Sequence, residues 1–550
     1  SPAHQVWLPP LSRPATLDEL LGPLATDPVR GYGAAAPHLR GALRVPVALV
    51  DKPFEQRRDL LWLALDGAAG HVAVAGAPRT GKSTLLRTII TSLALTHTPR
   101  EAQVYCLDFG GGALAPLREL PHVGGVASRL EPEAVRRTVG EVHALLTARE
   151  RDFAATGVES IGEYRRRGYP GDRHGEVFLV VDGWGTLRGE YDDVEPVLVD
   201  IATRGLSYGV HVLAAGTRWL DFRPVVRDLF GTKLELRLGD PNDSVVNRRA
   251  AGNVPEGTPG RGLTPDGLHL LTARPATATA EPADLVKTIA AGWSGPPAPP
   301  VRLLPTDLPY ADLVEAAGPQ PPLSLPLGVI EADLSPVAAD FAAEAHLLVF
   351  GDPGSGKTAL LRSLAASIVR QCEPERARVI LIDHRRGLLG AIDTEHLIGY
   401  GASPAETQEL VDSVVGYLRR RLPGPDVTPQ QLRDRSWWTG PECFLLVDDY
   451  DLVAGGLSNP LSGLLDFLPQ ARDVGLHLVL ARRTGGASRA LYEPVLQRLR
   501  ELGSPGVLLS GDRDEGVLLG DVRPRPFPPG RGVLVNRRSG THLLQLAHLP

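Results

Sequence analysis

The 550-residue sequence predicts an α/β protein: two tandem copies of one module, each a mostly parallel central sheet flanked by helices. Three observations predict it. Two stretches fit G-x-x-x-x-G-K-[ST], Gly76-Ala-Pro-Arg-Thr-Gly-Lys-Ser83 and Gly351-Asp-Pro-Gly-Ser-Gly-Lys-Thr358, each between a short apolar run and a helix-like run. Unbroken apolar runs ending in Asp recur along the chain, as expected of strands buried on both faces of a parallel sheet. The markers also keep fixed spacings: 275 residues separate the two glycine-rich stretches, and also Asp108 from Asp383, while 266 separate Asp182 from Asp448 and His211 from His477.

Residues 1–44 read as an irregular lead-in, in which prolines hold Trp7-Leu-Pro-Pro-Leu11 extended and Thr16-Leu-Asp-Glu-Leu20 can open a short helix. Residues 45–50 are the first strand. Residues 71–75 are the next, and they lead into Gly76, Ala77, Pro78, Arg79, Thr80, Gly81, Lys82, Ser83 and Thr84. Glycines there let the backbone bend tightly and bring N–H groups to phosphate oxygens. Lys82 sets a compact charge against the β- and γ-phosphates, and the Ser83 hydroxyl can take a Mg²⁺ position. The helix that follows turns its N-terminus to the anion. The same chemistry falls to Gly351, Asp352, Pro353, Gly354, Ser355, Gly356, Lys357, Thr358 and Ala359. One such stretch could be a glycine turn with a surface lysine; two, each between strand and helix, point to nucleotide binding.

Val104-Tyr-Cys-Leu-Asp-Phe109 is a further strand, closed by the turn Gly110-Gly-Gly112, and residues 131–167 are charged and helical in pattern. Val177-Phe-Leu-Val-Val-Asp182 has the form of a Walker B strand, which brings a carboxylate to the Mg²⁺ side of the phosphates. Asp182 is therefore a candidate metal and catalytic residue with Ser83, and Asp448, at the end of Phe444-Leu-Leu-Val-Asp448, is its counterpart with Thr358. Residues 210–215 and 477–481 read as further buried strands. Gly295-Pro-Pro-Ala-Pro-Pro300 reads as a stiff linker. Both halves carry Pro-Gly-Arg-Gly, at 259–262 and 529–532, and residues 301–305 echo the lead-in at 7–11. The division expected is 1–44 lead-in, 45–295 first domain, 296–324 proline-rich linker and 325–550 second domain.

Length alone would allow about three or four domains. Hydrophobic content of 43% and charged content of 22% are ordinary for a globular protein, and a net charge of −6 gives no basic surface for nucleic acid. The three cysteines stand apart without metal spacing, which suits a reducing compartment. No apolar run is long enough to span a membrane. The sequence lacks methionine altogether, so it reads as a fragment or a processed chain.

A Walker B strand, then Gly209-Val-His211, Asp243-Ser244 and Gly260-Arg-Gly262, resembles the FtsK/SpoIIIE branch of the additional-strand, RecA-like motor ATPases. Leu107-Asp-Phe-Gly-Gly-Gly112, Leu120-Pro-His-Val-Gly-Gly125 and Leu236-Arg-Leu-Gly-Asp-Pro241 are similar to the second ATPase domain of the EccC family, the motors of type VII (ESX) secretion. Leu468-Pro-Gln-Ala-Arg-Asp473 and Leu502-Gly-Ser-Pro505 are similar to the third. The resemblance implies two tandem RecA-like P-loop domains that bind ATP and Mg²⁺. It also implies a cytoplasmic site of action, peripheral to the inner membrane. The partners it implies are secreted helical-hairpin substrates with a Trp-x-Gly turn and a C-terminal signal, a membrane-anchored first ATPase domain, and copies of the chain in a hexamer.

Departures from the branch bear on catalysis. Its members follow the Walker B Asp with Glu, whereas Gly183 follows Asp182 and Asp449, one methylene short, follows Asp448. An arginine ahead of the Gly-[VIL]-His strand acts in trans in the branch; Arg472 takes that place in the second module, and Leu206 in the first, with Arg204 two residues off. The candidate catalytic set is therefore Asp182, Asp448, Asp449 and Arg472, with slow turnover expected. A DNA translocase and a nucleotide-binding scaffold without a transport role are the competing readings; no basic winged-helix module follows to favour the former.

Overall fold

A computed structural model describes residues 9–168, 172–455 and 459–549 and divides the chain into two compact units, Ser1–Leu303 and Leu304–Pro550. Residues 7 and 8 of the proline-held lead-in lie outside the described residues. In the first unit the strands are β1 (Leu24–Asp27), β2 (Gly31–Ala34), β3 (Arg44–Lys52), β4 (Arg57–Ala64), β5 (Val72–Ala75), β6 (Ala102–Asp108), β7 (Val123–Ser128), β8 (Glu176–Asp182), β9 (Val210–Gly216), β10 (Thr232–Leu236), β11 (Arg261–Leu263) and β12 (His269–Thr272). In the second they are β13 (Ser324–Ile330), β14 (Pro336–Asp340), β15 (His346–Phe350), β16 (Ala377–Ile382), β17 (Leu397–Gly401), β18 (Glu442–Val447), β19 (Leu476–Arg482), β20 (Gly506–Leu508), β21 (Arg531–Asn536) and β22 (Gly540–Leu546).

Apart from the β1–β2 hairpin, each unit has one ten-stranded sheet. The orders β4-β3-β12-β11-β10-β5-β9-β8-β6-β7 and β14-β13-β22-β21-β20-β15-β19-β18-β16-β17 correspond strand for strand. From β10 to β7, and from β20 to β17, neighbours run parallel; the other four strands of each sheet are antiparallel. The parallel strands are buried on both faces, and their side chains divide by period two. Phe178 and Val180 enter the core beneath helix Lys82–Thr96, while Val177, Leu179 and Val181 enter the opposite one, beneath helix Pro132–Thr156. The thiols of Cys106 and Cys443 are buried in this layer.

At the N-terminal ends of the parallel strands each unit buries a polar cluster. His211 Nε2 lies 2.9 Å from Glu176 Oε2, and Arg165 donates to Glu176 Oε1 at 2.6 Å. In the second unit His477 lies 3.1 Å from Glu442, and Arg435 donates to it at 2.9 Å. The glycine before each Val-His or Leu-His pair is needed for this contact. A Cβ on Gly209, at φ +69°, would sit 2.7 Å from Glu176 Oε2. The Gly-x-His signature is thus a structural one: it closes the sheet at the end away from the phosphate loops.

Two expected segments differ. The lead-in is not irregular. The short helix expected there forms at Leu17–Leu21, with Glu19 accepting from the Thr16 N–H at 2.9 Å; Leu17, Leu20 and Leu21 enter the main core, and Gly33 lets β2 cross close over Leu95, where a Cβ would meet a carbonyl oxygen at 2.4 Å. Nor are residues 296–324 a free linker. Residues 298–301 hydrogen-bond to the first unit, while Leu304, Leu308, Tyr310 and Leu313, the last two on helix Tyr310–Ala317, pack into a core of the second. Proline suits the first of these segments because a chain laid along a sheet edge leaves part of its own N–H row unused.

The Glu176 cluster carries a testable pH dependence. Burial raises this carboxyl, and the hydrogen bonds from His211 and Arg165 outweigh it, lowering its pKa from 4.5 to about 2. Its contribution to stability is therefore complete above the ordinary carboxylate range and is lost as pH falls from there towards 2. Glu176→Gln is expected to cost about 3 to 5 kcal/mol at neutral pH in chemical unfolding of the first unit, and to flatten the loss of stability between about pH 4.5 and 2. An unchanged acid limb would show that the pair contributes nothing.

Candidate functional site

Each glycine-rich loop stands at the C-terminal end of its central strand, β5 or β15, and passes into helix Lys82–Thr96 or Lys357–Gln371. The turn is sharp: Gly81 and Gly356, the residues before the lysines, have φ +101° and +112°. Lys82 Nζ donates to the carbonyls of Gly76 and Ala77 at 2.7 and 2.9 Å, and Lys357 Nζ to those of Gly351 and Asp352 at 2.8 and 3.0 Å. Burial lowers both ammonium pKa values, against the pull of Asp182 and Asp221 on one and of Asp449 and Asp448 on the other. Lys82 is thus a half-buried cation and Lys357 a buried one, each held on backbone carbonyls. Ser355 Oγ in the second loop is buried without a hydrogen-bond partner.

β8 and β18 bring their aspartates to the same place. Asp182 and Asp448 are each 2% exposed. Thr358 Oγ1 donates to Asp448 Oδ2 at 2.6 Å, and the Ser83 hydroxyl lies close enough to Asp182 to favour its charged form. Burial raises both carboxyls, helped by Asp108 in the first site and by Asp449 and Asp383 in the second. Asp182 Oδ2 is buried with no partner, and Gly110 packs so closely that a Cβ would lie 2.4 Å from it. A hydroxyl, a carboxylate and an orphaned buried oxygen fit a hard divalent cation such as Mg²⁺. No cluster of three or more His, Cys, Asp or Glu side chains suited to a metal occurs among the described residues. A Mg²⁺ shared with phosphates needs none.

Asp108 and Asp383 do different work. Asp108 accepts from the backbone N–H groups of Gly110, Gly112 and Leu114, and Asp383 from those of Arg385 and Leu388 and from the Tyr400 hydroxyl. They fix the loops that border the phosphate loops.

The residue after each Walker-type aspartate is left-handed, at φ +104° in Gly183 and +44° in Asp449. Asp449 carboxylate is tied to Arg385 Nε at 3.1 Å. Arg472 is exposed in the short helix before β19, the end of that strand away from the phosphate loop, so it is not brought to the site of its own module.

Two further contacts had no sequence signal of their own. The Pro-Gly-Arg-Gly turn reaches the phosphate loop directly: Gly260 N–H donates to the Thr80 carbonyl at 2.8 Å, and Gly530 N–H to that of Ser355 at 2.9 Å. Its arginine then grips the lead-in of its own unit, Arg261 on the Leu11 carbonyl at 2.6 Å and Arg531 on those of Leu304 and Pro305 at 3.3 and 2.9 Å. The second contact is at the sheet edge. Ala298 N–H donates to the Pro121 carbonyl at 2.7 Å and Val301 N–H to Gly124 at 3.0 Å, so residues 298–303 lie in a groove between β7 and helix Pro132–Thr156. The Tyr105 hydroxyl donates to the Pro299 carbonyl at 2.8 Å and Arg137 to that of Arg302 at 2.8 Å. The corresponding edge, β17, has no such cover among the described residues. At the bulge both edges share, Gly124 is answered by Ile398, which is 51% exposed.

The model of the FtsK/SpoIIIE family matches residues 42–279 and 317–422. The chain is 55% identical over 557 residues to the ESX secretion system protein EccC of Thermomonospora curvata, covering 99% of this chain and 42% of that protein. It is 39% identical over 573 residues to the ESX-1 secretion system protein EccCb1 of Mycolicibacterium smegmatis, covering 100% of this chain and 94% of that one. The chain thus spans less than half the length of the first relative. Among solved structures, ATPases 2 and 3 of Thermomonospora curvata EccC, in complex with a signal sequence peptide, superpose with a TM-score of 0.89 at 54% identity, over 99% of this chain and 100% of that one.

The left-handed position after Asp182 gives a direct test. A Cβ on Gly183 would meet Phe109 Cβ at 3.1 Å in a conformation that already disfavours side chains. Gly183→Ala is expected to destabilise the first unit by about 1 to 3 kcal/mol in urea unfolding. An unchanged midpoint would show that the loop relaxes freely.

Proposed function

This chain belongs to the FtsK/SpoIIIE family and, within it, to the EccC ATPases of type VII secretion, and on that premise we propose that it is the nucleotide-binding, substrate-recognising part of a secretion motor. Each module binds one ATP with Mg²⁺. The first does so through Gly76, Ala77, Pro78, Arg79, Thr80, Gly81, Lys82, Ser83 and Thr84, with Ser83 and Asp182 on the cation side. The second uses Gly351, Asp352, Pro353, Gly354, Ser355, Gly356, Lys357, Thr358 and Ala359, with Thr358 and Asp448. Bound Mg²⁺ supplies charge neutralisation for the phosphates. Turnover is slow, because Gly183 offers no carboxylate and Asp449 is short and engaged by Arg385. ATP here acts chiefly as a ligand that stabilises the folded module. Arg472, exposed and remote from its own phosphate loop, fits a role in trans in a hexameric ring, beside a membrane-anchored first ATPase domain at the cytoplasmic face of the inner membrane.

The observation that carries the recognition half is the sheet-edge groove. Residues 298–303 fill it on the first unit, and the equivalent edge of the second is bare, with Ile398 exposed. The second groove receives the C-terminal signal of a secreted helical-hairpin substrate, by an apolar anchor laid in a groove. Affinity is about micromolar, since a short segment has few anchors and loses entropy on ordering, and several substrates on one oligomer offset this by avidity. A DNA translocase is the weaker reading: the relatives named above belong to secretion systems, and the chain carries a net charge of −6.

Two measurements test the proposal. Calorimetry with Mg·ATP is expected to give two sites on the full chain and one after either Lys82→Ala or Lys357→Ala, with slow phosphate release by the wild type; two sites in both variants, or rapid release, would sink the assignment. A secreted hairpin protein from the same locus is expected to bind the full chain only when it keeps its C-terminal tail. Ile398→Asp, a change on an exposed side chain, is expected to weaken that binding about 10-fold or more. Binding indifferent to both the tail and Ile398 would rule the groove out.

A further inference from the structure

The two sheets correspond strand for strand, and through the phosphate loops the modules keep one offset of 275 residues, so each loop supplies a control for the other. At the apex of the first phosphate loop stands Arg79, with φ +63°; 275 residues on, the second loop has Gly354, with φ +76°. The left-handed turn is therefore a property of the loop in both modules. Glycine adopts it freely, whereas a side chain such as arginine is disfavoured there. Something has to compensate the arginine.

Contacts within the chain do not. Arg79 is exposed and makes no hydrogen bond or ion pair among the described residues. The adjoining loop is Gly110-Gly-Gly112, and the residue after Asp182 is Gly183, so neither places a side chain beside the phosphates. Lys82 is turned inward on the carbonyls of Gly76 and Ala77. The second module reverses the arrangement. Its apex is glycine, and the bordering loop carries Arg385 and Arg386, the latter at φ +61° where the first module has Gly111 at +100°. Of those two arginines, Arg385 is bound by Asp449, while the Arg386 side chain is exposed with no hydrogen bond or ion pair among the described residues. A free guanidinium at the apex of the phosphate loop itself is thus found in the first module, whereas in the second the free one stands on the bordering loop.

We infer that Arg79 reads the terminal phosphate of the nucleotide held by the first module, so that this site selects the triphosphate over the diphosphate. The inference rests on the nucleotide-binding reading of the site. Backbone N–H groups and the helix N-terminus serve the inner phosphates in any bound nucleotide, and Lys82 spans the β- and γ-phosphates. A guanidinium leaving the loop at its apex adds charge-assisted, bidentate hydrogen bonds only when a third phosphate is there to accept them.

The test uses the full chain carrying Lys357→Ala, so that only the first site binds, with Arg79→Gly or Arg79→Lys added. Affinities for Mg·ATP and Mg·ADP are measured by calorimetry, and unfolding midpoints without nucleotide. Arg79→Gly is expected to weaken ATP about 10- to 100-fold, to change ADP by less than about 3-fold, and to raise the midpoint by relieving the left-handed strain. Arg79→Lys, which leaves the backbone demand unchanged, is expected to fall between wild type and glycine for ATP. Equal weakening of ATP and ADP, or no change in either, would overturn the inference. Where Arg79→Gly lowers the midpoint, the loop itself has been disturbed, and the ATP-to-ADP ratio of Arg79→Lys decides: a wild-type ratio overturns the inference and a reduced one supports it. Failure of the Lys357→Ala chain to bind either nucleotide would instead remove the nucleotide-binding reading on which the inference stands.

Discussion

One backbone hydrogen bond ties each module together, from the second residue of the Pro-Gly-Arg-Gly turn to the carbonyl two residues before the phosphate-loop lysine. It joins the antiparallel half of the sheet to the parallel half at the spot where the anion-binding helix begins. The glycine is needed there. A Cβ on Gly260 would sit 2.4 Å from Thr272 Oγ1, and one on Gly81 2.9 Å from Gly260 N. The adjacent arginine extends the tie to the segment that enters the module. Loop, turn and lead-in are therefore one mechanical unit, and a nucleotide bound to the loop stiffens all three.

The opposite end of each sheet is closed by a buried histidine bonded to a glutamate, which an arginine reaches from the rim. The two ends are thus built on different physics, backbone amides and fixed turns at one, a cluster of polar side chains at the other. The modules diverge at the first end. The aspartates, lysines and hydroxyls correspond in both, and so do His211 and His477. The residues around the phosphates do not: Gly110 faces Arg385, Gly183 faces Asp449, and Ala77 faces Asp352, which accepts a hydrogen bond from Thr484. The duplicated frame has been kept while each site was retuned.

How much of this was legible in the sequence follows from where the information resides. The parallel strands were legible because burial on both faces makes them unbroken apolar runs, and the phosphate loops because their glycines and lysine have fixed spacing. β7 and β17 were not, since Val123-Gly-Gly-Val126 and Leu397-Ile-Gly-Tyr400 look like turns and become strands only by pairing with β6 and β16. The hairpin of the lead-in was missed because it is held by contacts far along the chain, such as Arg30 on Glu101, whereas its short helix was legible in Thr16-Leu-Asp-Glu-Leu20. The arginine of the Pro-Gly-Arg-Gly turn was visible as a motif, but its grip on Leu11, 250 residues away, was not. The engagement of Asp449 by Arg385 also needed coordinates, because nothing in two separate loops announces that their side chains meet.

The covered edge β7 bears on how such a protein stays in solution. An unpaired edge strand offers its N–H and carbonyl row to any extended chain and is a seed for intermolecular sheet growth. In the first unit, residues 298–303 act as a built-in guard on that row. A first module cut off at the proline stretch would lose its guard and expose Val123, Gly124 and Gly125 to its neighbours. Both edges carry a bulge, at Gly124 and at Ile398, and in the second unit that interruption of the row stands without a cover among the described residues. The edges are thus managed differently, one by bulge and cover and the other by the bulge alone.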